Sequence, residues 1–452
     1  MSDASNMTLS TPSSQSSLTE WLDYMQQIHV SAIDMGLSRV LPVAKALGVV
    51  QSAKDDAYVF SVAGTNGKGS TTAVISEMCQ AAGYKTALYQ SPHLSVFNER
   101  VRINGEMVSD QILIAAFNKV EEARIECELT LSFFEMTTLA ALLIFAEADC
   151  DVWVLEVGLG GRLDVVNIID PDMAVITNIG IDHVDWLGDT IEQIGSEKAG
   201  ILRDDITLIY GAADMPNSVQ QAIEHHRVKC YQVGQDFSYR IQDSQNWQYS
   251  NAAVTLNLPR PVLSLMNTTN ALSAVLASPL NITTSAIEQA LRAVKLAGRF
   301  DYREVAERHW LFDVAHNEQG VDFLLAQLLP LWQTHVDAQL SQTATKSSST
   351  TIKMLFSMLG DKDMATVVQR LVTAGLPITD WYIAEIDHPR AASIEQLQST
   401  LAKQVTEASI HVYQDIAQAT HAVTEHSSSQ DLIVVCGSFH TIGEALAALR
   451  VL

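Results

Sequence analysis

Short apolar runs return along most of the chain with amphipathic helical patterns between them, and this alternation constrains the fold more than any other feature. Candidate strands are Tyr58–Ala63, Thr86–Tyr89, Val152–Val157, Met173–Thr177 and Thr207–Tyr210; the type resumes at Trp310–Val314, Ile352–Phe356, Trp381–Ala384 and Leu432–Cys436. Val74, Ile75, Met78 and Ala82 share one face of an intervening helix. The alternation predicts an α/β fold of mainly parallel sheets covered by helices. With 452 residues the chain exceeds the ~250–300 that one core supports, so two domains are expected. Capping boxes open helices at Thr190-x-x-Gln193 and Ser285-x-x-Glu288, and the second helix ends at Gly298. The expected division is a Ser/Thr-rich disordered leader over 1–18, a larger domain over 19–298 and a smaller Rossmann-like α/β domain over 299–452. Ser341–Thr351 and His426–Gln430 read as surface loops.

Composition narrows the partners. The 28 Lys+Arg against 52 Asp+Glu give a net charge of −24, which repels nucleic acid and anionic bilayers. The best apolar run, Leu139 to Ala146, is too short to span a membrane, and the leader lacks the pattern of a signal peptide. Cys79, Cys127, Cys150, Cys230 and Cys436 are widely spaced without a CxxC and read as free thiols in a reducing compartment. A cytoplasmic protein acting on small molecules is expected, and nothing demands more than a monomer.

One segment carries chemistry on its face. Gly64-Thr65-Asn66-Gly67-Lys68-Gly69-Ser70-Thr71 follows an apolar strand and opens a helix, the setting in which backbone N–H groups and a helix N-terminus bind phosphate. Thr65 to Ser70 would wrap phosphate oxygens, Lys68 would reach the terminal phosphates, and the hydroxyl of Ser70 or Thr71 would face Mg²⁺. The standard pattern of GxxxxGK followed directly by Ser or Thr is not met, because Gly69 intervenes and the loop is shorter.

Glu156 ends an almost wholly apolar strand, where a buried carboxylate requires a cation, whether in an ion pair or as a metal. His183 follows the strand Met173–Thr177 in the same topological position, where open α/β sheets bind ligands. Together beside a phosphate loop they favour Mg²⁺ ligation by Glu156, His183 being an unusual ligand for so hard an ion. Lys198, taken alone, is a cation at a helix C-terminus. Asn267 and Asn270, taken alone, are ordinary residues at a helix start.

The loop Gly64-Thr65-Asn66-Gly67-Lys68-Gly69-Ser70 resembles that of the Mur ligase superfamily in its folylpolyglutamate synthase branch. The likeness continues in order through Ser91-Pro92-His93-Leu94, Asn98-Glu99-Arg100, Leu155 to Asp164, Asp182-His183, Glu197-Lys198-Ala199-Gly200, Gly298-Arg299-Phe300, Asp313 to Asn317 and Cys436 to His440. Coverage runs from about Asp34 to Ile442. The resemblance implies an N-terminal ATP-binding domain and a C-terminal glutamate-ligase domain. It implies that Ser91 and Glu156 hold one Mg²⁺ and that His183 serves a second, supported by Lys198 carrying CO₂ as a carbamate. It assigns Asn270, Arg299 and Asp313 to ATP, and His316 and Ser438 to the neighbourhood of glutamate. For the pterin of dihydropteroate it points to Leu37, Ser38, Arg39, Ser132, Phe133, Phe134, Glu135, Leu163, Asp164 and Val165.

The activity so implied is ATP-dependent ligation of L-glutamate to dihydropteroate through an acyl phosphate, with γ-glutamyl extension of reduced folates. A folylpolyglutamate synthase without the first activity is one alternative, and a P-loop switch that hydrolyses ATP without ligating anything is another. A cell-wall Mur ligase is disfavoured by Gly69 and by the missing nucleotide-sugar domain.

Overall fold

The structure is a computed structural model that describes residues 11–29, 36–342 and 350–451. Residues 1–10 of the expected leader, the start of the resemblance near Asp34 and positions 343–349 of the expected Ser/Thr-rich loop lie outside the described residues. The chain divides into two compact units. The first comprises 1–91, 97–260 and 265–294; the second comprises 92–96, 261–264 and 295–452.

The first unit is built on an eight-stranded sheet. Its strands are β1 (Tyr58–Ala63), β2 (Thr86–Tyr89), β3 (Val101–Ile103), β4 (Glu106–Met107), β5 (Val152–Glu156), β6 (Met173–Ile176), β7 (Thr207–Tyr210) and β8 (Lys229–Gln232), in the order β4-β3-β2-β5-β1-β6-β7-β8. All pairs are parallel except β2–β3 and β3–β4. The register sets Val62 beside Glu156 and Ala63 beside Ile176, so β1, β5 and β6 end side by side. The helix Lys68–Ala81 is buried almost all round, between the sheet and the helices Leu265–Ala277 and Thr284–Ala293, as its small side chains allow. Ser17 caps the helix Leu18–Gln27, and the indole N–H of Trp21 donates to the Ser13 carbonyl.

A three-stranded antiparallel sheet, β9 (Phe237–Ile241), β10 (Asn246–Asn251) and β11 (Thr255–Pro259), was not anticipated in the first unit. The capping box at Thr190 forms, but that at Ser285 does not. Thr283 caps the helix Thr284–Ala293 by accepting from the Ala286 N–H, and the helix ends before Gly298.

The second unit carries β12 (Asp301–Val305), β13 (Arg308–Asp313), β14 (Ile352–Phe356), β15 (Ile378–Glu385), β16 (Ser409–Asp415) and β17 (Leu432–Cys436), in the order β12-β13-β17-β14-β15-β16. Only β12 runs antiparallel. Leu311 faces one apolar core and Trp310 and Phe312 the other, so both faces are covered. Among the described residues no helix is long and apolar enough to cross a membrane. All five cysteines are free, and burial pushes the Cys79 thiol up to about 12.

Candidate active site

The phosphate loop is held from below by the segment that follows β6. Thr65 N–H donates to the Asn178 carbonyl (3.1 Å) and Asn66 N–H to Asn178 Oδ1 (3.0 Å). Thr177 Oγ1 donates to the Asn66 carbonyl at 2.6 Å. Glycine is required at two points. A Cβ on Gly64 would stand 1.8 Å from Thr177 Oγ1, and one on Gly67, at φ +82°, would stand 2.2 Å from Asn267 Oδ1. With Gly67 in the left-handed region the chain turns directly into the helix beginning at Lys68, whose first N–H groups lack helical partners. Lys68 Nζ donates to the carbonyls of Gly64 (3.0 Å) and Thr65 (3.3 Å). Ser70 is buried, and Thr71 Oγ1 is buried with no hydrogen-bond partner.

Glu156, 4% exposed, meets this loop. A Cβ added to Gly69 would lie 3.5 Å from Glu156 Oε2, and the Ser91 N–H donates to the same oxygen at 3.3 Å. A buried carboxylate beside a backbone-lined loop suits a hard cation that takes its remaining ligands from hydroxyls, water and phosphate. No group of three or more His, Cys, Asp or Glu side chains converges as a metal cluster among the described residues. His183 caps a short helix, Val184–Leu187, from the left-handed region at φ +51°, and its side chain is 43% exposed.

Lys198 sits in the last turn of Ile191–Ala199 but is no solvated helix-end cation. It is buried, and its Nζ donates to the Gly64 carbonyl at 2.9 Å. Burial, aided by the neighbouring Lys68 ammonium and opposed by Asp182, pushes its pKa down to about 7. Asn270 is wholly buried, and neither its Nδ2 nor its Oδ1 has a partner; a Cβ on Gly211 would stand 2.0 Å from its Nδ2.

The residues assigned to the pterin fall into two groups. Arg39 pairs with the buried Glu135 (2.8 and 3.3 Å), and Glu135 forms a reciprocal cap with Ser132 on the helix Phe133–Glu147. Leu37 is half-buried and Ser38 exposed. Phe133 and Phe134 are half-buried; Phe134 crowds Gly158, where a Cβ would stand 2.5 Å from its Cζ. Asp164, between half-buried Leu163 and buried Val165, accepts from the N–H groups of Leu159 (2.8 Å) and Val166 (2.9 Å). Burial outweighs those bonds and pushes its pKa up to about 6, while the field of Lys68 reaches it and draws it down.

In the second unit Asp313 ends β13 and accepts from Phe300 N–H (2.8 Å) and Ala315 N–H (2.9 Å), with its pKa raised by burial against the pull of Arg299. The Arg299 guanidinium lies 4.5 Å from the centre of the Phe439 ring. His316 Nδ1 is 2.8 Å from the Val314 carbonyl, which places a proton on that nitrogen. Ser438 Oγ accepts from Thr441 N–H (3.0 Å) and caps the helix Phe439–Leu449.

Residues 62–278 match the Mur ligase middle domain, and residues 298–439 match the Mur ligase glutamate ligase domain. The chain is 37% identical over 440 residues to the dihydrofolate synthase/folylpolyglutamate synthase of Escherichia coli (strain K12), covering 97% of each. The chain belongs to this Mur ligase family. Among solved structures, E. coli FolC in complex with DHPP and ADP superposes with a TM-score of 0.87 at 36% identity, over 97% of this chain and 99% of that one. The bifunctional folylpolyglutamate synthase/dihydrofolate synthase of Yersinia pestis, complexed with AMPPNP and Mn ion, gives a TM-score of 0.86 at 36% identity, over 98% of this chain and 100% of that one.

For a member of this family the residues missed from sequence are those that hold the loop. Thr177, Asn178 and Gln90 are all buried and bonded to it, yet Thr, Asn and Gln at strand ends carry no distinguishing signal. Arg100 is buried beside the rings of Phe97 (5.4 Å to its centre) and Phe133 (5.8 Å), and nothing in the sequence assigns it a role.

Proposed function

We propose that this chain joins L-glutamate to dihydropteroate, giving dihydrofolate, and extends reduced folates by γ-glutamyl residues, each time at the expense of ATP. The observation that carries the reading is the meeting, at the carboxyl ends of the central strands β1 and β5, of the Gly64–Ser70 loop with Glu156 and a desolvated Lys198, while the Lys68 field extends to Asp164.

The acceptor carboxylate attacks the γ-phosphorus of ATP, forming an acyl phosphate and releasing ADP. The α-amine of glutamate adds to the acyl carbon, loses a proton, and the tetrahedral intermediate expels phosphate. The loop N–H groups and Lys68 orient the phosphates and offset the charge that builds during transfer. Asn270, whose buried amide has no partner, is suited to an adenine edge. Arg299 and Asp313 would serve the nucleotide, and His316 and Ser438 the incoming glutamate. Ser91 and Glu156 would hold one Mg²⁺; His183 would serve a second, with a carbamate on Lys198. Bound cations would neutralise phosphate charge. An amine with pKa near 7 is substantially neutral at physiological pH, the form that reacts with CO₂, which supports the carbamate.

The test offers dihydropteroate, then tetrahydrofolate, with ATP and labelled glutamate. Label is expected in both acceptors, and Lys68→Ala should abolish both incorporations. Labelling of the folate alone would leave a synthase of polyglutamates only. ADP release independent of glutamate would indicate a switch.

A further inference from the structure

We propose that Gln90 is the positioning residue that fixes the separation between the phosphate loop and the Ser91/Glu156 pair, and thereby sets the affinity for the divalent cation. The inference rests on the reading of Ser91 and Glu156 as metal ligands. Gln90 is 8% exposed and directly precedes Ser91. Its Nε2 donates to the Gly69 carbonyl (2.8 Å) and to Thr72 Oγ1 (2.9 Å), and that hydroxyl lies 3.1 and 3.0 Å from the carbonyl oxygens of Lys68 and Gly69. Its own N–H donates to the Arg100 carbonyl at 3.0 Å, anchoring it from the opposite side.

The small space in front of Gly69 is bordered by the same groups. A Cβ there would stand 3.5 and 3.6 Å from the Glu156 oxygens and 3.6 Å from Gln90 Nε2. Because β2 and β5 pair with Tyr89 opposite Leu155, Gln90 and Glu156 leave the sheet as neighbours. The carboxamide therefore ties the first turn of the loop helix to the strand end that presents Ser91. If the tie is cut, the first turn of the helix and Ser91 are held in register only through the sheet, by the pairing of β1 with β5 and of β5 with β2. Groups that orient metal ligands from behind typically alter metal affinity by about 10–100-fold.

The experiment titrates Mn²⁺ into the full chain with saturating AMPPNP and follows free Mn²⁺ by electron paramagnetic resonance. Metal-free ADP binding and the thermal midpoint are measured in parallel. Gln90→Met keeps the side-chain length and removes the donor; Gln90→Asn keeps an amide one methylene short; Glu156→Gln tests the underlying reading. Mn²⁺ affinity about tenfold lower in Gln90→Met and severalfold lower in Gln90→Asn is expected, with metal-free ADP binding weakened by a clearly smaller factor. A parallel loss of ADP binding and midpoint would assign Gln90 a general packing role and overturn the proposal. Loss in Glu156→Gln with both Gln90 variants at the parent value overturns the proposal alone. Parent-like Mn²⁺ binding by Glu156→Gln overturns the metal reading and this inference with it. Should Gln90→Met not fold, the Gln90→Asn comparison decides.

Discussion

Lys198→Met replaces a buried amine by an apolar side chain of similar length, and its effects on stability and on activity should run in opposite directions. The amine titrates near 7 in the fold, against about 10.4 in an unfolded chain. Between those values the unfolded chain binds the proton more tightly, so stability rises with pH across the window, and the burial penalty is greatest at and below pH 7. About three units at ~1.36 kcal/mol each makes that penalty about 4 kcal/mol. Methionine escapes it and forfeits one hydrogen bond to the Gly64 carbonyl, worth about 1 kcal/mol, while Lys68 still donates to that oxygen at 3.0 Å. The variant should therefore be roughly 2–3 kcal/mol more stable than the parent at pH 7, and the gain should shrink towards pH 10. Ligase activity, read as glutamate-dependent ADP release, should be lost. Denaturant unfolding of the full chain at pH 7, 8.5 and 10 provides the comparison. A variant less stable than the parent at pH 7, or a difference that ignores pH, would refute the reasoning.

Three further predictions follow from single contacts. Gly67→Ala forces a side chain into the left-handed region and 2.2 Å from Asn267 Oδ1, so it should cost roughly 1–3 kcal/mol and weaken AMPPNP binding; an unchanged midpoint and affinity would mean the loop yields freely. Asn270→Leu removes a buried amide without partners, so the nucleotide-free protein should hold or gain stability while KM for ATP rises about tenfold; an unaltered KM would remove Asn270 from the nucleotide site. Asp164→Asn should damage dihydropteroate use more than folate use, and in the parent dihydropteroate use should fall as pH drops through about 6 and the carboxylate gains a proton; equal losses would sink that assignment.

What could be read from the sequence divides along burial. β1, β7, β14 and β17 begin and end where their apolar runs do, because strands covered on both faces are predominantly apolar. β9 to β11 escaped because Trp247 and Tyr249 alternate with Asn246, Gln248 and Ser250, leaving no continuous run, only the period-two pattern of a half-wet sheet. The strand–turn–helix at Gly64–Ser70 was legible since its residue pattern is local, and the burial of Glu156 since an acid ending an apolar strand is conspicuous. Lys198 was different in kind. Its position near a helix C-terminus predicts a solvated ammonium, and only the tertiary fold brings it to the Gly64 carbonyl and beside Lys68.

The single carbonyl of Gly64 accepts from both amines, so the resting loop answers its own charge with its own backbone. Were Lys68 drawn off that oxygen, Lys198 would lose a positive neighbour and hold its proton more firmly. Under the proposed carbamate, nucleotide binding and CO₂ uptake at Lys198 would then pull against one another through that shared acceptor, and CO₂ would have to arrive first.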